Sequence, residues 1–162
     1  MKILVAVDKN WGIGSKNGLL ARLPADMKSF KDATTGNAIV VGRNTYLSFP
    51  VRPLPNRTTY VIAPTENEFP EVKCFTSVEE FVAFSKTCRD EIYVSGGGMI
   101  YKSLLPYCEE ATVTKIDHAF DADTFFPNLD EIPDWEIISE SEPIETNGYI
   151  IRFVKYRNNN VN

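Results

Sequence analysis

The sequence predicts an α/β fold with a mostly parallel central sheet of about eight strands, an antiparallel C-terminal edge and about four flanking helices. Three observations predict it. Short apolar runs at residues 3–7, 38–41, 59–63 and 91–94 alternate with helix-like segments. Ile39-Val40-Val41 and Tyr60-Val61-Ile62 are continuously apolar, as central parallel strands covered on both faces must be. Residues 111–116, 135–139 and 149–156 follow with no helical pattern between them, which reads as an antiparallel edge.

The helices have their own signals. Pro24 suits a first helical position, and Met27, Phe30 and Ala33 follow at helical spacing. Ser77 and Glu80 form a capping-box pattern ahead of Val78, Phe81 and Val82, and a segment from Gly98 to Leu105 stops at Pro106. With 162 residues and no composition break or repeat, one domain over 1–157 is expected, with a flexible tail at 158–162 beginning in Asn158-Asn159-Asn160.

Composition removes several classes of function. A net charge of −5 with scattered cations gives no footprint for nucleic acid. No apolar run approaches the roughly 18 residues of a membrane span, and the opening apolar stretch is too short for a signal peptide, so a cytoplasmic location is expected. Cys74, Cys88 and Cys108 are odd in number and lack paired spacing, and His118 is the single histidine. Neither a disulfide framework, a metal site nor a histidine triad is expected.

Asp26 is the first chemical anomaly. On a helix starting at Pro24 it shares a stripe about 120° wide with Met27, Phe30 and Ala33, while Lys28, Ser29, Lys31 and Asp32 point elsewhere. A carboxylate facing an apolar interior needs a cation or a donor, or it takes a proton. A local alternative stands beside this reading, because aspartate is favoured in any first helical turn.

Two strand-to-helix junctions form the second anomaly. Val94-Ser95-Gly96-Gly97-Gly98-Met99 reads strand, triple-glycine turn, helix, where missing Cβ atoms admit a ligand to the backbone. It is not the GxGxxG pattern, and a tight turn without a ligand would also explain it. Val41-Gly42-Arg43-Asn44-Thr45 repeats the geometry with an arginine suited to phosphate. Two such junctions suit a dinucleotide better than a small metabolite.

Along almost its whole length the chain resembles the dihydrofolate reductase family. The resemblance rests on an ordered set: Ala6-Val7-Asp8, Gly12-Ile13-Gly14, Leu23-Pro24-Ala25-Asp26 and Phe30-Lys31 come first. Val41-Gly42-Arg43-Asn44-Thr45-Tyr46, Ser48-Phe49-Pro50 and 52–58 follow, then Ser95-Gly96-Gly97-Gly98, Ile100-Tyr101, Thr114-Lys115-Ile116-Asp117 and Asp123-Thr124-Phe125-Phe126-Pro127.

The resemblance implies NADPH-dependent reduction of 7,8-dihydrofolate to tetrahydrofolate for one-carbon metabolism, by a monomer open to antifolate inhibitors. It implies that Asp26 holds the aminopyrimidine edge of the pterin, supported by Thr114. Val5, Ala6, Met27, Phe30 and Lys31 would line the substrate with Phe49, Leu54 and Ser95, and Arg57 would pair with its glutamate carboxylate. Ala6, Ile13, Gly14, Leu19 and the run Gly42, Arg43, Asn44, Thr45 would meet the cofactor. So would Ala63, Thr65, Gly96, Gly97, Gly98, Met99, Ile100 and Tyr101. The loop at 9–23 would exclude water, with Gly12, Gly14 and Gly18 supplying its flexibility.

The chain departs from the family pattern twice. Leu20-Ala21 replaces the usual Pro-Trp, so Leu20 or Trp11 is expected to cover part of the gap, with weaker binding of diaminopyrimidine inhibitors. Met99 and Ala63-Pro64-Thr65 stand where a second arginine and hydroxyls usually hold the cofactor's 2′-phosphate, which predicts a reduced preference for NADPH over NADH. Two other readings stay open from sequence. One is a same-fold reductase of a flavin-pathway pyrimidine, and the other is a catalytically silent nucleotide-binding protein.

Overall fold

The computed structural model describes residues 1–15 and 18–162. Its strands are β1 (Lys2–Val7), β2 (Gly12–Gly14), β3 (Ala38–Gly42), β4 (Thr58–Ile62), β5 (Lys73–Phe75) and β6 (Ile92–Val94). They continue with β7 (Glu110–Ile116), β8 (Thr124–Phe125), β9 (Trp135–Glu140), β10 (Ile144–Thr146) and β11 (Tyr149–Asn158). The helices are α1 (Pro24–Thr34), α2 (Arg43–Ser48), α3 (Val78–Ser85) and α4 (Gly98–Leu104).

The main sheet runs β10-β11-β7-β1-β6-β3-β4-β5, with β9 also paired to β11, and β2 pairs with β8 apart from it. Strands from β7 to β5 are parallel, whereas β11 is antiparallel to β7, β9 and β10. The antiparallel edge therefore begins one strand later than the sequence suggested. Strand β7, read as part of that edge, lies parallel to β1 across six register pairs from Lys2↔Glu110 to Val7↔Lys115. Strands β2, β5, β8 and β10, of two or three residues each, are too short to carry a legible period.

Burial explains the centre. Every residue of β3 is buried, in keeping with an apolar strand covered on both faces. Helix α3 has half of the expected capping box: Ser77 Oγ accepts from Glu80 N at 3.1 Å, while the Glu80 carboxylate accepts from Thr76 Oγ1 at 3.3 Å. Helix α1 has no side-chain cap at Leu23; instead Thr146 Oγ1, from β10, accepts from Ala25 N at 3.1 Å. A distant strand thus fixes the start of the helix that carries Asp26.

Asp8 organises the segment after β1. It is buried, and its Oδ1 accepts from Asn10 N and Gly12 N at 2.8 Å each, while Oδ2 accepts from Phe120 N at 2.9 Å. One carboxylate so ties β2 to the stretch before β8. Lys16 and Asn17, inside the loop expected at 9–23, lie outside the described residues.

Asn158, expected to open a flexible tail, instead closes β11. It is buried, and its Nδ2 donates to Cys108 O at 3.0 Å; Asn162 N also donates to Pro106 O at 2.9 Å. A buried amide can meet its hydrogen-bonding demand against a strand edge.

Candidate active-site cleft

Parallel β1, β6 and β3 stand in register, with Val94 level with Ile3 on one side and Val40 on the other. Their C-terminal ends consequently deliver Ala6, Ser95 and Gly42 to one side of the sheet, the usual place for a ligand crevice in an open α/β sheet. Thr114 of β7 is level with Ala6.

The structure brings Asp26 and Thr114 together. Thr114 is buried, and its hydroxyl donates to Asp26 Oδ1 at 2.6 Å. Burial raises the Asp26 carboxyl above the ordinary aspartate range, and the Thr114 hydrogen bond acts in the opposite direction. The donor is thus a hydroxyl, and the carboxylate is left with a raised proton affinity.

The apolar stripe of α1 does not fill the core. Thr34 is the buried residue of this helix; Asp26, Phe30 and Ala33 are half-buried and Met27 is 47% exposed. The stripe is only partly covered, which corrects the expectation of an apolar interior. Phe30, Phe49 and Leu54 pack with the buried cluster of Ile39, Val41 and Tyr46, forming one wall. Lys31 is exposed. Half-buried Arg57 donates from Nη1 to Thr34 Oγ1 and from Nε to Pro55 O, both at 2.9 Å. Loss of solvent lowers its guanidinium from the usual arginine range without threatening its charge.

Val5 is buried, and Ala6 packs beside Ala21 and Ala25 on the Leu23, Ile116 and Ile151 cluster. Trp11 does not cover the gap left by alanine at position 21. It is buried in the main core, stacked on Phe126 with centroids 6.2 Å apart and edge-on to Tyr156 at the same separation. Of the two residues expected there, half-buried Leu20 remains.

The two glycine junctions lock together. Gly42 N donates to Gly96 O at 2.8 Å, and Ser95 N donates to Val40 O at 3.0 Å. A Cβ at Gly42 would meet Ile100 Cγ1 at 3.0 Å, and one at Gly97 would meet Thr45 Oγ1 at 3.3 Å. Gly96 has φ +105°, a conformation that glycine adopts cheaply. A Cβ at Gly98 would strike Thr124 Cγ2 at 2.7 Å and approach Ile13 Cδ1 at 3.8 Å, so β2 and β8 close over the start of α4. The absent Cβ atoms let Ile100, Tyr101, Thr45 and Thr124 pack directly on the two turns. Asp123 N donates to Gly14 O at 2.9 Å, fastening the same pair of strands.

Other expected cofactor positions are more scattered. Ile100 and Tyr101 are buried, and the Tyr101 hydroxyl donates to Leu4 O at 2.7 Å. Ala63 is buried; Thr65, Arg43 and Asn44 are exposed, Leu19 is 80% exposed and Met99 81%. Arg43 is partly engaged, because its Nε donates to Glu68 Oε1. Sequence reading missed Glu68, which stands 25 positions away and has no periodic signal. It also missed Thr146 and Asp8, whose roles depend on contacts across the fold. A cavity of about 380 Å³ beside β5, lined by Glu66, Phe69, Thr76 and Glu80 among others, shares no residue with this cleft.

An α/β sheet with a carboxylate-bearing cleft beside paired glycine turns defines a ligand-binding enzyme scaffold. The family model described as dihydrofolate reductase matches residues 1–158, and the chain belongs to that family. It is 34% identical to the dihydrofolate reductase of Bacillus subtilis (strain 168), covering 99% of this chain and 95% of that one. Against the dihydrofolate reductase of Enterococcus faecium it is 38% identical over 94% of this chain and 93% of the relative. A solved dihydrofolate reductase from Enterococcus faecalis, complexed with NADP(H) and RAB-propyl, superposes with TM-score 0.88 at 33% identity, covering 98% and 95% of the two chains.

Proposed function

We propose that the protein is a dihydrofolate reductase that uses NADPH to reduce 7,8-dihydrofolate to tetrahydrofolate, supplying one-carbon metabolism. Family membership supports the reaction, and the half-buried Asp26 held by Thr114 is the observation that carries the site.

Asp26 binds the polar edge of the pterin. An ionised carboxylate accepts two donors from a 2-amino group and an adjacent ring N–H, and it stabilises positive charge developing on the ring. Thr114 holds the carboxylate in place and favours its ionised form, offsetting part of the effect of burial. Phe30, Phe49 and Leu54 pack on the substrate with Met27, Val5 and Ala6, while Arg57 takes its glutamate carboxylate and Lys31 adds charge at the rim. Ser95 lies where the substrate and cofactor regions meet.

Gly42, Gly96, Gly97 and Gly98 would hold the cofactor's phosphates with Asn44 and Thr45. Ile13, Gly14, Ala6, Leu19, Ile100 and Tyr101 would surround its nicotinamide half; Arg43, Ala63, Thr65 and Met99 would meet the adenosine half. When bound, NADPH supplies the hydride that C6 of the pterin receives. This chain's residues orient the substrate, exclude bulk water with β2 and β8, and leave N5 to take its proton from solvent. No described helix is long and apolar enough to cross a membrane, and the net charge is −5. The net charge gives no footprint for nucleic acid, and inhibitor-like pterins should enter the same site.

The test is product identity. Incubation with 7,8-dihydrofolate and NADPH should yield tetrahydrofolate by mass spectrometry. Turnover of a ribosylated aminopyrimidine instead, or NADPH binding without turnover, would overturn the reading.

A further inference from the structure

We propose that Glu68 sets cofactor selectivity in this protein by competing with the cofactor's 2′-phosphate for Arg43, so that NADH is accepted alongside NADPH. The proposal rests on the cofactor reading above and concerns the adenosine end of the same site.

The carrying observation is the Arg43–Glu68 ion pair, made from Nε to Oε1. Glu68 has a side chain 20% exposed, against 45% for Arg43, and its second oxygen Oε2 is buried with no hydrogen-bond partner. Its charge is therefore compensated by Arg43. A 2′-phosphate brings about −1.5 to −2 charges of its own, and it gains most from this arginine by drawing the guanidinium away from Glu68. That exchange leaves a largely buried carboxylate without its cation, a cost that a cofactor with a plain 2′-hydroxyl never meets.

Among the described residues no second ion-pair partner of Glu68 is found. The sequence has no lysine or arginine between Arg57 and Lys73, while Glu66, Glu68 and Glu71 fall within six positions. Glu71 is engaged by Tyr46, whose hydroxyl donates to its Oε2 at 2.9 Å. Beyond the triple glycine, Met99 is exposed and uncharged, and no cation occurs between Arg89 and Lys102. Arg52 lies against the Tyr46 ring, 5.8 Å from its centroid. The 2′-phosphate thus depends on an arginine whose Nε already serves Glu68 and whose charge Glu68 partly neutralises.

The test separates binding from turnover. Calorimetric titration of the full chain with 2′,5′-ADP and with 5′-AMP reads the worth of the 2′-phosphate alone, and kcat/KM for NADPH and NADH reads the same in catalysis. In the wild-type protein the 2′-phosphate should improve binding by less than about tenfold. Glu68→Gln should tighten 2′,5′-ADP by about tenfold with 5′-AMP unchanged, and raise the NADPH to NADH ratio of kcat/KM to match. Glu66→Gln should do neither, and Glu68→Gln should have no effect in an Arg43→Ala background.

Unchanged or weaker 2′,5′-ADP binding in Glu68→Gln would overturn the proposal, as would an equal gain in Glu66→Gln or a gain that survives without Arg43. If Glu68→Gln does not fold, a large 2′-phosphate preference in the wild-type protein overturns it alone. Wild-type protein that binds neither NADPH nor 2′,5′-ADP would sink the cofactor reading and this inference together; binding insensitive to Glu68 would sink this inference only.

Discussion

Replacing Thr114 with valine removes one hydroxyl and preserves the shape of a buried side chain in the middle of β7. The hydroxyl donates to Asp26 Oδ1 at 2.6 Å, and a hydrogen bond to a charged group contributes about 1.5–3 kcal/mol. At about 1.36 kcal/mol per factor of ten, kcat/KM for dihydrofolate should fall about 10- to 150-fold at neutral pH. The bond is present in the ligand-free fold, so the melting temperature should also fall, by roughly 3–12 °C. A second readout follows from the electrostatics. Burial raises the Asp26 carboxyl and Thr114 opposes it, so Thr114→Val should raise that carboxyl further, visible by carbon NMR of labelled aspartate. Steady-state loss of NADPH absorbance gives the rate. A kcat/KM within about twofold of wild type, with an unmoved Asp26 titration, would refute the idea that this contact tunes the binding carboxylate.

Asp26→Asn should stabilise the ligand-free protein while disabling it. The folded-state carboxyl is raised above its unfolded value, so its relative stabilisation is present at low pH and lost as pH rises through the folded value; the Tm advantage of Asp26→Asn should therefore grow from acidic to neutral pH, and a pH-independent difference would count against it. Asp8→Ala strips three backbone donors of a buried acceptor and should cost about 2–4 kcal/mol, seen as a Tm fall of roughly 5–15 °C, with a loss under about 1 kcal/mol contradicting that role. Arg57→Lys should raise KM for dihydrofolate about tenfold with NADPH affinity unchanged, because an ammonium cannot reproduce a two-pronged contact to a carboxylate; an unaltered KM would remove Arg57 from the substrate site. Ala21→Trp should tighten binding of diaminopyrimidine inhibitors by filling space beside Ala6 and Ala25, and an unchanged inhibition constant would show that this gap is immaterial.

The parts of the fold that follow from local pattern were legible. Continuous apolar runs marked β3 and β4, Pro24 marked the start of α1, and Ser77 with Glu80 marked that of α3. Helical spacing alone placed Asp26 with Met27 and Phe30, though it could not tell a core from a cleft. That distinction depends on what faces the stripe, and here it is only half-covered, with Asp26 meeting Thr114 of β7. The direction of β7 was missed for a similar reason: a strand's parallel or antiparallel partner is a property of the sheet, not of its own residues. Asp8 and Thr146 look ordinary in sequence and acquire their roles only when Phe120 and Ala25 arrive beside them. Glu68 is the sharpest case, because a surface-type acid in a loop becomes informative once it is found on Arg43.

The most direct measurement compares wild-type protein and Asp26→Asn for consumption of NADPH on addition of dihydrofolate at neutral pH. The account predicts rapid, dihydrofolate-dependent oxidation by the wild type and a fall of at least about tenfold in kcat/KM for the variant, with NADPH binding retained. Equal activity in the two proteins would contradict it, since an amide would then be doing the work assigned to a buried negative charge.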